Sequence, residues 1–200
     1  MTAWSFLGYI AAIVGGFLLG GVMFSQILPQ KFCHKDIQAI SEDHNPGATN
    51  VFVNCGTAMG MTCLLLDLLK GLIPILLAGL FLDRENLLFG IVLAAPVLGH
   101  ATAPFHHFHG GKCIATSFGE MLGLMPFNRI GLLLAALYIF FSTIIKIRPN
   151  RVRSIVVYTL FGSSSAILLT AKNQQSIALG CILISLIAIF KHSRYFMRNT

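Results

Sequence analysis

Six apolar runs decide most of what this chain can become. "AWSFLGYIAAIVGGFLLGGVMFSQIL", "MGMTCLLLDLLKGLIPILLAGLFL", "LLFGIVLAAPVLG", "IGLLLAALYIFFSTII", "SIVVYTLFGSSSAILLTA" and "SIALGCILISLIAIF" are separated by short polar stretches. Several approach or exceed the roughly 20 residues that cross a hydrocarbon core. Charged residues are only 10% of the chain, against about 25% in a soluble domain, and mean hydropathy is +0.78. The reading is an all-α integral membrane protein with one membrane domain over 1–200. The first run is a retained helix rather than a signal peptide: no basic residue precedes it, it is long, and no small-x-small cleavage site follows a short core. Cys33, Cys55, Cys63, Cys113 and Cys181 form no C-x-x-C pair and read as free thiols.

Breaks at Gly, Pro, Asn and charge clusters divide the chain into about seven helices. They are expected at 3–28 (ending before Pro29), 57–82, 86–103, 113–125, 128–147, 152–171 and 175–192, with a polar segment at 30–56. The helices at 86–103 and 113–125 are short for spans, so they tilt or are shielded by neighbours. With the N-terminus outside, the inner side receives Lys31, Lys35, Lys112, Lys146, Arg148, Arg151, Arg153, Lys191, Arg194 and Arg198, and the outer side Arg84, Arg129 and Lys172. That asymmetry places the C-terminus in the cytoplasm. The net charge of +7 then reads as topology and contact with anionic lipid, not nucleic-acid binding. Segments 30–56 and 99–113 and the C-terminal "KHSRYFMRNT" all reach the cytoplasmic face, where they can converge on one site.

Three stretches carry polar chemistry. In "HGGKCIATS", Gly110 and Gly111 allow close backbone approach and can form an anion nest, Lys112 adds a point charge, and a helix begins just after. The spacing is not a Walker A motif, since His106 stands where its first glycine would fall and Cys113 follows the lysine. The competing reading is a flexible turn with a snorkelling lysine. In "EDHNPGATNVFVN", Asn45, Thr49 and Asn50 offer donors and acceptors around a turn shaped by Pro46 and Gly47; a binding loop and a plain capped turn both fit. His100, His106, His107 and His109 invite zinc or copper, but no cysteine or carboxylate stands nearby at ligand spacing, and interfacial histidines in a basic loop explain them without metal. Asp67 and Lys70 lie three apart on one helix face and read as a structural ion pair at membrane depth. Glu120 joins them or serves its own helix dipole.

Taken together, these stretches make the chain resemble the bacterial membrane acyltransferases that use acyl phosphate to acylate glycerol 3-phosphate. The family pattern G-S-G-N-x-G-A-T-N-V is similar to "EDHNPGATNV", D-x-x-K-G to "DLLKG" (Asp67 to Gly71), and G-H-x-F-P-V-F-L-x-F-K-G-G-K-G-V-A-T to "GHATAPFHHFHGGKCIAT". The resemblance implies seven helices with cytoplasmic loops in a bacterial inner membrane. It also implies transfer of a fatty acyl group from acyl phosphate to the 1-hydroxyl of glycerol 3-phosphate, the first acylation of phospholipid synthesis. No cofactor, metal, acyl-CoA or acyl carrier protein is implied, and no obligate protein partner. It points to His100, Lys112 and His192 as catalytic. Substrate and phosphate binding falls to Asn45, Gly47, Thr49, Asn50, Gly110, Gly111, Lys112 and Thr116. The chain departs from the pattern at Asp43 (family Ser), Val53 (family Arg) and Tyr195 (family Asn), and no equivalent of the family's downstream Glu follows. A basic neighbour such as Lys35 is the expected substitute for the arginine. The alternative is a non-catalytic lipid- or phosphate-binding relative that regulates lipid synthesis.

Overall fold

The computed structural model of the chain describes residues 3–193; Arg194, Tyr195 and Arg198 lie outside them. The regular structure among the described residues is all helical: α1 Ala3–Gly20, α2 Phe24–Cys33, α3 Ile37–Ile40, α4 Ala48–Cys55, α5 Thr57–Phe81, α6 Leu88–Thr102, α7 Ile114–Leu124, α8 Gly131–Ile139 continued by a π-helical turn Phe140–Ile144, α9 Asn150–Thr170 and α10 Gln175–Ser193. Four stretches are long and apolar enough to cross a bilayer: Ala3–Cys33, Thr57–Phe81, Asn150–Thr170 and Gln175–Ser193. Leu88–Thr102 and Gly131–Ile144 are shorter apolar helices. Most of α6 is buried, because α1, α5, α7 and α10 all pack on it. A short helix is tolerated there because its ends meet protein rather than lipid.

A close backbone approach joins α5 to α7. On α7, Gly119 and Gly123 form a G-x-x-x-G ridge, and a Cβ at either would lie 2.0 Å from Leu68 O or 2.4 Å from Leu72 O. Small residues at this spacing let helix backbones approach where apolar burial alone supplies little drive. The bundle holds Lys112, Arg151 and His192 at one end. Arg84 and Asn128 mark the other, where Tyr9 Oη donates to Asp83 O, Ser176 Oγ to Arg84 O and Asn128 Nδ2 to Gln174 Oε1.

Two expectations are corrected. The helix expected at 3–28 is broken at Gly21–Met23 and resumes as α2, which carries Pro29 inside it. The break is stabilised from elsewhere: Lys70 Nζ donates to Val22 O at 2.7 Å while pairing with Asp67 Oδ1 at 2.8 Å, and Ser25 Oγ donates to Asp67 Oδ2 at 2.7 Å. The Asp67–Lys70 pair thus ties the α1–α2 junction to α5. The polar segment 30–56 is not an open loop either. It contains α3, whose N-cap Asp36 accepts from Ala39 N, and α4, whose N-cap is Gly47.

Candidate active site

The segment before α4 and the segment before α7 are pinned to each other. Gln38 accepts from the His44 ring at its carbonyl and contacts His106 Nε2 through its side chain, each at 3.1 Å. Asp43 is the hub beyond them: Lys112 Nζ lies 2.5 Å from its Oδ2, Asn50 Nδ2 donates to its Oδ1 at 2.7 Å, and the Asn45 amide reaches the same oxygen at 3.3 Å. Asn50 Nδ2 also donates to Asn45 O. A Cβ at Gly47 would sit 2.5 Å from Asn45 Nδ2, so a larger residue there would have to displace that amide. Half-burial pushes the Asp43 carboxyl up, but the Lys112 hydrogen bond and charge, helped by Asn50 and Asn45, hold it below its ordinary value. A carboxylate in a phosphate site repels its ligand unless a cation neutralises it, and Lys112 supplies that cation.

The two glycines serve a different purpose from the nest the spacing suggested. A Cβ on Gly110 would lie 2.2 Å from both His100 O and Ala101 O, and one on Gly111 would lie 2.3 Å from His100 Nε2. The Gly111 amide donates to His100 O at 3.1 Å. The glycines therefore let the chain lie flat against the last turn of α6, and this seats Lys112.

Asp43, Asn45, Asn50, His100 and Lys112 line one cavity of about 1060 Å³. Its polar lining includes Asp43, Asn45, Thr49, Asn50, His100, Lys112, Asn150, Arg151, Ser154 and His192, and Gly47 borders it. Leu64, Leu68, Ile114, Ala115, Phe118 and Leu122, from α5 and α7, make an apolar wall. His192 is 2% exposed with its ring beside the Lys112 backbone, and His100 Nδ1 is buried without a hydrogen-bond partner among the described residues. A smaller cavity of about 340 Å³ shares Asp43, Asn45 and Lys112, and is bordered by His44, His107, His109, Gly110 and Lys191.

The structure thus brings together residues from three separated segments: Asn45, Gly47, Thr49 and Asn50; His100 and Lys112; and His192. It does not put Thr116 on the wall. Thr116 is fully buried where α7 meets α5, its carbonyl against Gly71. Glu120 does not join Asp67 and Lys70; its Oε1 accepts from Val97 N of α6 at 2.8 Å. Lys35 is absent from the lining and donates to Asn54 O at 2.5 Å, whereas Val53, 79% exposed, does line the cavity. Sequence reasoning missed Asn150, Arg151 and Ser154 at the start of α9. Their signal was the "RPNRVRS" stretch, which served only as a count of positive charge.

A cavity with an apolar wall at one side and a cation among amide side chains at the other suits a ligand that is part lipid and part anion. The comparisons agree. A family model described as glycerol-3-phosphate acyltransferase matches residues 10–199. A glycerol-3-phosphate acyltransferase of Hydrogenobaculum sp. (strain Y04AAS1) is 30% identical over 186 residues, covering 93% of this chain and 90% of that protein. One of Geotalea daltonii is 35% identical over 183 residues, covering 92% and 89%. Among solved structures, the glycerol 3-phosphate form of PlsY (YgiH), an integral membrane glycerol 3-phosphate acyltransferase, superposes with a TM-score of 0.80 at 26% identity, covering 96% of this chain and 92% of that one.

Proposed function

The chain belongs to the glycerol-3-phosphate acyltransferase family, and from that membership we propose that it moves a fatty acyl group from acyl phosphate to the 1-hydroxyl of glycerol 3-phosphate. The products are lysophosphatidate and inorganic phosphate, and the reaction is the first acylation of phospholipid synthesis. The observation that carries the reading is the single cavity in which Lys112, Asn50 and His192 meet an apolar wall.

Acyl phosphate is already activated, so the protein's task is positioning and charge stabilisation, which calls for no cofactor or metal. Lys112, Asn45, Gly47, Thr49 and Asn50 hold the glycerol 3-phosphate, with Gly110 and Gly111 fixing Lys112 in place and Thr116 supporting the α7 backbone from within. The acyl chain lies along Leu64, Leu68, Phe118 and Leu122. The 1-hydroxyl oxygen attacks the acyl carbonyl carbon, the new C–O bond replaces the C–O bond to phosphate, and inorganic phosphate leaves. His192 accepts the hydroxyl proton and passes it to solvent, since its ring lines the cavity beside the Lys112 backbone. His100 braces the loop through its carbonyl and ring. The whole chain acts as one membrane unit of seven crossings, with α1 and α2 as the first and α6, α7 and α8 among the rest. Its N-terminus is outside and its site faces the cytoplasm at the inner membrane. The excess of Lys and Arg at the cavity end supports that orientation.

The test is direct. Purified protein supplied with acyl phosphate and glycerol 3-phosphate should release phosphate and form lysophosphatidate one for one. Binding of acyl phosphate without product would favour the regulatory relative instead.

A further inference from the structure

The acyltransferase reading leaves a shortage of positive charge. Acyl phosphate and glycerol 3-phosphate each bring a phosphate, and Lys112 is already bonded to Asp43. Val53, at the position where the resembling pattern carries arginine, lines the cavity with no charge to offer, and Lys35, not itself in the lining, is engaged with the backbone carbonyl of the lining residue Asn54. Among the described residues that line the cavity, the strong cations are Lys112 and Arg151.

We propose that Arg151 binds the phosphate of the acyl donor, filling from α9 the role that Val53 cannot. The inference rests on the acyltransferase reading. Arg151 is the second residue of α9, a helix of 21 residues that starts at Asn150, so the positive end of the helix dipole adds to its field. Its position relative to the apolar wall decides which substrate it meets. One turn further on, Ser154 lies buried in the same lining and accepts from Tyr138 Oη at 3.1 Å; the Tyr138 ring is 5.4 Å from the Phe118 ring on that wall. Arg151 therefore stands where the head group of a chain lying along Phe118 would emerge. Lys112 stands instead among Asn45 and Asn50, whose amides suit a hydroxylated acceptor. A guanidinium fork matches two phosphate oxygens at once, which a lysine does not.

The experiment varies each substrate in turn with purified wild type, Arg151→Gln, Arg151→Lys and the double variant Val53→Arg/Arg151→Gln. Arg151→Gln should raise KM for acyl phosphate by about tenfold or more. KM for glycerol 3-phosphate and the unfolding temperature should stay near wild type. Arg151→Lys should recover part of the loss, and restoring arginine at position 53 should recover more. An unchanged KM for acyl phosphate in Arg151→Gln, or a rise confined to glycerol 3-phosphate, overturns the assignment. Equilibrium binding of an acyl phosphonate, which needs no turnover, separates the two possible failures. A wild-type protein that forms no lysophosphatidate removes the acyltransferase reading, whereas equal phosphonate affinity in wild type and Arg151→Gln removes Arg151.

Discussion

Replacing Gly110 by alanine tests how Lys112 is held. The added Cβ would stand 2.2 Å from the carbonyl oxygens of both His100 and Ala101, where an ordinary carbon–oxygen contact is about 3.3 Å. Both oxygens belong to the backbone of the last turn of α6, so no rotamer change relieves the clash, and the loop must lift by about 1 Å. The lift breaks the Gly111 N to His100 O bond and carries Lys112 away from Asp43 and Asn50. Overpacking costs about 1–3 kcal/mol, and the lost hydrogen bond about 1 kcal/mol more. A displacement of this size at a reacting centre lowers rate by about 10²-fold. Lysophosphatidate formation at saturating substrate, read beside a thermal melt in the same detergent, should show both losses. Gly15→Ala is the control, since nothing lies within 4 Å of its added carbon. A Gly110→Ala variant with wild-type rate and melting temperature would show that the close approach to α6 does not position the lysine.

Other perturbations have distinct signatures. Lys70→Met strips the counter-charge from Asp67, 2% exposed, and the donor from Val22 O; a loss of about 3–5 kcal/mol should appear in the melt, and adding Asp67→Leu should return much of it. If the double variant is as unstable as the single, the pair is not what holds the α1–α2 junction. The Asp43 carboxyl is held below its unfolded value of about 3.9. Its stabilising contribution is therefore complete above that pH and disappears as pH falls through the lower folded value. Melting temperature should drop more steeply in that acid range for wild type than for Asp43→Asn; parallel curves would mean that Lys112 does not stabilise the carboxylate. His192→Gln should cut kcat by about 10²-fold or more with little change in the melt, and retention of wild-type kcat would remove it from the proton path.

Much of the bundle could be read from apolar run length alone: α5, α9 and α10 lie within two residues of their expected ends. What could not be read depends on contacts distant in sequence. The break at Gly21–Met23 sits inside an uninterrupted apolar run, and a lysine 48 positions away takes the freed carbonyl. The helices of segment 30–56 are too short to show a period, and the Asp36 cap of α3 shows only in the structure. Asn45, Asn50 and Lys112 were legible as site residues because their types and spacing resemble a known pattern. Asp43 was legible only as a departure from it, since its neutralising partner is 69 positions away. Thr116 fits the pattern, yet it is fully buried and not among the residues that line the cavity. Arg151 passed unnoticed because a basic residue beside a membrane helix already has an explanation in topology.

The most direct test of the account is the rate at which Lys112→Ala converts acyl phosphate and glycerol 3-phosphate to lysophosphatidate, measured beside wild type with phosphate release recorded in the same reaction. The variant should retain its fold and lose nearly all turnover, because the ammonium that meets the acceptor is gone. Wild-type turnover from Lys112→Ala would contradict the account, since the cavity would then be working without the cation on which its chemistry is built.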